Sequence, residues 1–178
     1  FSRNTPLDMR MSHSHYTITA ERIVNEASVE ELIEIFTRYG QEPHAKQIAR
    51  KIVEERKKKK FKTTKDLALL IEQLISSKGK RVHPATRVFQ ALRICVNKEL
   101  ENIHSFLQVV PSFLNSGGRI VCISFHSLED RMVKYAFQED EQKGILRIIT
   151  KKMITASSEE IARNASARSA CLRVAERI

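Results

Sequence analysis

Apolar positions recur at intervals of three and four over roughly residues 17 to 77, the spacing of amphipathic helices. Two helix starts are marked by a hydroxyl residue three positions before an acid: Ser28 with Glu31, and Thr63 with Asp66. Gly40 is placed to cap one of these helices at its C-terminus, and Pro43 to open the next at its first position. The pattern therefore predicts a small all-helical unit.

The second half of the chain begins with a polar link over 76–83. Pro84 then opens one long helix, with apolar positions at a period near 3.6, which Pro111 ends or kinks. The remaining predicted elements are a strand at 119–125, a helix at 127–137 capped by Ser127 with Asp130, and strands at 145–150 and 169–178.

The strand at 119–125 is apolar on both faces, which is typical of a strand inside a parallel sheet covered by helices. We therefore expect 117–178 to form the last part of a mostly parallel sheet, with this strand in its interior. A sheet of this kind has about five or more strands. Because the chain offers three, we expect the others to precede Phe1, with strands from a partner as the alternative. The predicted fold class is α/β, the end of a doubly wound domain.

The positive charge is concentrated in one part of the chain. The net charge is +10, yet residues 44–87 hold 14 Lys or Arg and 4 Asp or Glu, while the rest of the chain holds 17 of each. Such a segment favours a polyanion as partner, nucleic acid first and an anionic membrane surface second. A solvated helical face is the remaining alternative.

The cysteines indicate the compartment. Cys95, Cys122 and Cys171 lie far apart in apolar sequence, without disulfide or zinc spacing, so we expect buried thiols in a reducing cytoplasm. No apolar run reaches the roughly 18 to 20 residues that a membrane span requires, and no signal peptide is recognisable. The sequence predicts a cytoplasmic protein without a metal site.

A polar cluster follows the apolar strand, and its members are Ser124, His126 and Ser127. In open parallel sheets, ligands bind beyond the carboxyl ends of the strands, where helix N-termini point free amides into the crevice. The cluster is thus a candidate substrate site. The alternative is that Ser127 caps a helix while His126 meets solvent.

Four segments resemble one family and occur in its order. They are "PLDMRM" (6–11), "HPATRVFQALRICVNKELE" (83–101), "SGGRIVCISFHSLEDRMVKYAF" (116–137) and "ARSACLRVAERI" (167–178). Together they resemble the bacterial 16S ribosomal RNA (cytosine N4) methyltransferases, the RsmH or MraW family. The resemblance covers the whole chain but only the C-terminal two-thirds or so of a family member.

The resemblance implies a class I, Rossmann-like methyltransferase domain interrupted by an inserted, all-helical substrate-recognition domain. On this basis 1–16 is a loop of the methyltransferase domain, 17–82 the helical insertion and 83–178 the C-terminal half of the methyltransferase domain. The implied reaction is methylation of the N4 amine of a cytidine in 16S ribosomal RNA or the small ribosomal subunit, with S-adenosylmethionine as cofactor.

In the family the cofactor-binding glycines and acids lie upstream of the position of Phe1. We therefore expect this chain alone to bind the cofactor weakly and to be inactive. A non-catalytic RNA-binding or ribosome-binding module that needs no cofactor is the alternative.

The family reaction suggests roles for particular residues. Asp8 is a candidate acceptor for the cytosine amine, and Arg10 can hold a phosphate or the Asp8 carboxylate; turn and helix-entry capping is the alternative for Asp8. One face of the predicted long helix is polar near its start, which suits a nucleotide phosphate or base edge, or else a network joining two domains. Its members are His83, Arg87, Gln90 and Arg93. Five lysines are candidates for phosphate contacts without base readout: Lys57, Lys58, Lys59, Lys60 and Lys62.

Overall fold

The structure is a computed structural model, and it describes residues 4–75 and 83–178. The chain divides into two compact units, Phe1–Glu99 and Leu100–Ile178, which are described separately. Residues 76–82, most of the predicted polar link, lie outside the described residues.

The first unit is helical, as the apolar spacing predicts. Its helices are α1 (Ala20–Glu26), α2 (Val29–Arg38), α3 (Ala45–Glu55), α4 (Thr64–Leu74) and α5 (Thr86–Asn97). Both predicted capping boxes are confirmed, since the Ser28 and Thr63 side chains accept from the backbone amides of Glu31 and Asp66. Fully buried aliphatic and aromatic side chains from every helix share one core, among them Val24, Phe36, Ile52, Ile71 and Leu92. The domain bounds expected from the resemblance stay a prediction; within the first unit, α5 packs against α1 and α2.

The segment before α1 is anchored to this core. The Leu7 side chain is fully buried, and its backbone amide donates to the Lys62 carbonyl (2.9 Å). Glu21 and Ala20, at the start of α1, donate to the carbonyls of Leu7 and Asp8 (2.6 and 2.8 Å). The loop that carries Asp8 is therefore held on one side by α1 and on the other by the chain just before α4.

Gly40 has a different role from the predicted one. The C-cap of α2 is Tyr39, and Gly40 follows it. A Cβ atom at Gly40 would lie 2.6 Å from the carbonyl oxygen of Arg87 and 2.8 Å from that of Phe36. A glycine is needed here because the end of α2 approaches the backbone of α5 too closely for any side chain.

The second unit contains a small sheet and helices. Its elements are α6 (Glu99–Val109), β1 (Arg119–Ser124), α7 (Ser127–Gln142), β2 (Leu146–Ile148), β3 (Ile154–Thr155), α8 (Ser158–Arg163) and β4 (Cys171–Arg177), with 3₁₀ turns at Val110–Phe113 and Ala165–Ser169. A second core forms between α6, α7 and the sheet, from Leu107, Ile120, Val133, Phe137, Leu146 and Ala175.

The predicted mostly parallel sheet is wrong for the strands that the structure describes. The sheet order is β1-β4-β2, β3 also pairs with β4, and all three pairings are antiparallel. The central strand is β4, whereas β1 lies at an edge of the described sheet. Ile120 is buried, but Val121 and Ile123 are 56% and 58% exposed. The apolar run in β1 thus has one buried face and one exposed apolar face, and the exposed face offers a surface for another apolar element.

The predicted long helix is interrupted. α5 ends at Asn97, and Lys98 adopts a left-handed conformation (φ 50°) before α6 begins. α6 ends at Val109, so the predicted stop near Pro111 is confirmed.

Among the described residues, no helix combines the length and the apolar character needed to cross a bilayer. The three cysteines are free and half-buried, and burial raises the pKa of the Cys122 thiol.

Candidate active site

Asp8 and Arg10 form a bidentate ion pair in the loop before α1. The Arg10 Nε and Nη2 atoms donate to Asp8 Oδ1 (2.7 Å) and Oδ2 (2.8 Å), and the Arg10 backbone amide also donates to Oδ1 (3.1 Å). The remaining arm of the guanidinium donates to the Tyr16 carbonyl (3.0 Å). Of the two roles expected for Arg10, holding the Asp8 carboxylate is the one that the structure shows.

The ion pair leaves Asp8 with acceptor capacity on one oxygen. Oδ1 accepts two hydrogen bonds from Arg10, whereas Oδ2 accepts one and lies 3.6 Å from His13 Nε2. A carboxylate oxygen has about two acceptor positions, so Oδ2 can accept one more donor. The Asp8 side chain is 31% exposed, so a hydrogen-bond donor can reach it from solvent.

The electrostatics of the loop keep Asp8 ionised. Its hydrogen bonds from the Arg10 side chain lower the pKa of Asp8 from the ordinary 3.8 to about 2. A carboxylate with so low a pKa is a poor proton acceptor near neutral pH but a permanent hydrogen-bond acceptor. The loop is therefore suited to orient a donor group by a charge-assisted hydrogen bond.

This pKa gives a testable dependence of stability on pH. Because folding lowers the pKa of Asp8, the ion pair contributes its full stability above about pH 4 and loses it as the pH falls towards 2. We expect Asp8→Asn to lower the free energy of unfolding by about 1 kcal/mol at pH 6, after allowance for solvent screening, and by progressively less below pH 4. Urea unfolding of both proteins between pH 2 and 6 measures this difference, and a constant difference over that range would contradict the assignment.

Asn97, which the sequence interpretation did not single out, holds the other end of the same loop. Its side chain donates to the Met9 carbonyl (2.9 Å) and accepts from the Met11 amide (2.7 Å). Asn97 is 1% exposed. In the sequence, the only sign of this role is a polar amide residue at the end of an otherwise apolar helix face. Such a pattern does not indicate which distant residues the amide binds.

The five lysines form an exposed segment around the end of α3 and the start of α4. Lys58 contacts Glu55 (3.0 Å), Lys59 contacts Asp66 (3.4 Å) and Lys60 donates to the Asn25 carbonyl (3.4 Å). The side chains of Lys57 and Lys62 make no ion pair within residues 4–75 and 83–178. The backbone bond between Leu7 and Lys62 places the Asp8 loop directly beside this lysine segment.

A cavity of about 380 Å³ opens next to the lysine segment, between α3 and α4. Phe61 and Leu70 form part of its apolar lining, and Lys51, Lys59 and Lys60 lie at its polar side. Its lining also includes Glu55 and Asp66, which pair with Lys51 and Lys59, so the cavity combines apolar groups with charges of both signs.

The polar face at the start of α5 makes contacts inside the first unit. The Arg87 and Gln90 side chains donate to the carbonyls of Gln41 (3.2 Å) and Tyr39 (3.4 Å), beyond the end of α2. Arg93 forms a two-pronged pair with Glu99 (2.8 and 3.0 Å), and His83 contacts Glu72. These four side chains therefore stabilise the unit in the structure, and their predicted role in nucleotide binding stays a prediction.

The cluster after β1 lies in the second unit, where its side chains serve local structure. Ser124 is buried and donates to the Cys171 carbonyl (3.3 Å). The N-cap of α7 is His126, whose Nδ1 accepts from the Glu129 amide, so the predicted cap of Ser127 with Asp130 is wrong. The helix begins at Ser127, so its third residue is Glu129, and the Asp130 carboxylate pairs with Arg173 at 2.7 and 2.9 Å.

Further hydrogen bonds order the same cluster at the start of α7. Glu129 already binds the backbone amides of Phe125 and His126. Ser127 is the first residue of α7 and has a partner of its own. His126 Nε2 is buried, lies 3.2 Å from Glu129 Oε1 and makes no hydrogen bond within the described residues. The predicted role of Ser124, His126 and Ser127 in substrate binding stays a prediction.

The MraW methylase family model matches residues 1–178. A protein of Cyanothece sp. named ribosomal RNA small subunit methyltransferase H is 49% identical over 178 residues, which is the whole of this chain and 58% of that protein. Proteins of the same name from Synechocystis sp. and Dehalococcoides mccartyi are 49% and 47% identical, and their alignments cover the whole chain and 57% and 54% of those proteins. The chain thus spans a little over half the length of these curated relatives. The chain therefore belongs to the MraW methylase family.

Proposed function

We propose that the protein to which this chain belongs methylates the N4 amine of a cytidine in 16S ribosomal RNA, with S-adenosylmethionine as the methyl donor. Family membership and the names of the relatives support methylation of small-subunit ribosomal RNA. The structural observation that carries the proposal is the Asp8 carboxylate, ionised and with acceptor capacity left on Oδ2, beside an exposed lysine segment.

The proposed role of Asp8 follows from the chemistry of cytosine. The exocyclic amine is a poor nucleophile because its lone pair is delocalised into the ring. An acceptor that binds an N–H of the amine orients the amine. It also favours a geometry in which the nitrogen lone pair is no longer conjugated with the ring. Asp8 Oδ2 is such an acceptor, and Arg10 keeps it charged and fixed in direction.

The proposed substrate-binding groups are the lysine segment, the polar face at the start of α5 with His83 before it, and the cluster after β1, which consists of Ser124, His126 and Ser127. The lysines are exposed and close to the Asp8 loop, so they are placed to hold the phosphates of RNA near the target base. On this proposal the partner is 16S ribosomal RNA or the small ribosomal subunit, and the protein acts in the cytoplasm.

The alternative is a non-catalytic RNA-binding module. The observation that favours it is the exposed lysine segment, whose ammonium groups can contact RNA phosphates without any cofactor. Both functions require the lysine segment, but only the enzyme requires Asp8.

Methyl transfer from labelled S-adenosylmethionine separates the two functions. The whole protein is incubated with small ribosomal subunits and with free 16S ribosomal RNA, and the nucleosides are then identified by mass spectrometry. The proposed function predicts N4-methylated cytidine at a single site. RNA binding without transfer to either substrate would support the module instead.

A further inference from the structure

We propose that Asn97 is a positioning residue for the Asp8–Arg10 pair. This inference rests on the proposed function, in which the Asp8 carboxylate receives the amine, and it assigns the group that fixes the direction of that carboxylate. Asn97 acts through the backbone on both sides of Arg10 rather than by touching the substrate.

The contacts of Asn97 span the part of the loop that carries the ion pair. Its Nδ2 donates to the Met9 carbonyl (2.9 Å) and its Oδ1 accepts from the Met11 amide (2.7 Å). These two backbone groups flank Arg10. A third bond, from Nδ2 to the Arg93 carbonyl (2.9 Å), fixes the amide within α5, so its orientation is set by the helix.

The loop needs such a clamp because its backbone conformation is costly. Met9 has φ 66°, in the left-handed region that a residue with a Cβ atom occupies only when its surroundings impose it. Upstream, the carbonyls of Leu7 and Asp8 are already bound by the first residues of α1. Downstream, the clamp on Met9 and Met11 comes from Asn97. Loss of the clamp therefore frees the half of the loop from which Arg10 reaches back to Asp8.

A purely structural role for Asn97 is the competing explanation, and the chain supplies a matched comparison. Asn25 is also buried, and its side chain makes the same kind of clamp on Phe61, donating to the carbonyl (2.8 Å) and accepting from the amide (3.0 Å). Asn25 also donates to a carbonyl four residues earlier, that of Glu21 (2.9 Å). The two asparagines thus make equivalent bonds within one unit, but only Asn97 bonds directly to the Asp8 loop, whereas Asn25 holds Phe61 in the lysine segment.

The test compares Asn97→Ala and Asn97→Asp with the same two substitutions at Asn25, in the whole protein. We expect both Asn97 variants to lower kcat for methyl transfer to the small ribosomal subunit by about 10- to 100-fold, the loss typical of a misplaced reacting group. RNA affinity should change by less than about threefold, because Asn97 is buried and the lysines are untouched.

A carboxyl introduced at position 97 can donate to the Met9 carbonyl only when protonated, and burial raises its pKa. The deficit of Asn97→Asp should therefore shrink as the pH falls from 8 to 6, while that of Asn97→Ala stays constant relative to wild type.

A spectroscopic measurement makes the test independent of activity. In the wild type, the bond from Arg10 Nε to Asp8 should slow exchange of the Nε proton, so that its nitrogen-15 NMR signal is visible; Asp8→Asn identifies the signal by removing it. We expect Asn97→Ala to abolish this signal and both Asn25 variants to retain it. If kcat per folded molecule and the Arg10 signal of the Asn97 variants match those of the Asn25 variants, the inference is overturned and Asn97 is structural only. If the wild type transfers no methyl group, the proposed function fails, and the Arg10 signal still decides whether Asn97 positions the pair.

Discussion

Asp8→Asn is expected to lower kcat for methyl transfer about 100- to 1,000-fold while RNA affinity changes by less than about threefold. The substitution removes the negative charge and replaces one carboxylate oxygen by an NH₂ group, which donates rather than accepts. Since Arg10 donates two hydrogen bonds to Oδ1 and one to Oδ2, the remaining acceptor position on Oδ2 is the one that can receive the amine. Single-turnover methylation of the small ribosomal subunit at saturating enzyme measures the effect on the step after binding.

Glu26→Gln is the control for this experiment. Glu26 lies at the end of α1 in the same unit, and its exposed carboxylate pairs with Arg22 on the surface. Removing that charge should leave both kcat and RNA affinity at the wild-type values. Full activity of Asp8→Asn would show that Asp8 only caps the loop, the role that its backbone contacts already give it. Equal losses of affinity and kcat would show that Asp8 contributes to RNA binding and not to the step after binding.

The replacement of all five lysines of the lysine segment by glutamine is expected to weaken RNA binding about 10- to 100-fold at 0.15 M salt, for all RNA sequences alike. Ammonium groups on flexible chains contact phosphates without reading bases. Each lost contact should flatten the slope of log affinity against log salt by roughly 0.7 to 0.9. A salt series on wild type and variant, with two unrelated RNA sequences, measures both quantities.

The structure also ranks the lysines. Lys58 and Lys59 contact acidic side chains, whereas Lys57 and Lys62 make no ion pair in the described part of the chain. We therefore expect the double variant of Lys57 and Lys62 to lose more affinity than that of Lys58 and Lys59. Lys151 and Lys152, two exposed lysines of the second unit, provide a control with the same loss of charge. An unchanged salt slope in the five-lysine variant would identify the segment as a solvated helical face.

The sequence by itself determined the features that depend on neighbours along the chain. The capping boxes of α2 and α4 require only a hydroxyl residue and an acid three positions apart, and both form as predicted. The helical character of the first unit follows in the same way from the spacing of its apolar residues. The family was recognisable because it rests on ordered motifs, which need no coordinates.

Features that depend on distant partners were decided only by the tertiary structure. The apolar run of β1 predicted burial on both faces, but burial depends on which elements cover each face, and Val121 and Ile123 remain exposed. The N-cap of α7 is His126 rather than Ser127, and the Asp130 carboxylate pairs with Arg173, which is 43 residues away along the chain. Asn97 and Met9 are 88 residues apart, and no local pattern reports a hydrogen bond between them. A sequence pattern indicates which side chains are apolar enough to be buried and which polar groups need a hydrogen-bond partner. Which residue becomes that partner depends on how the whole chain packs.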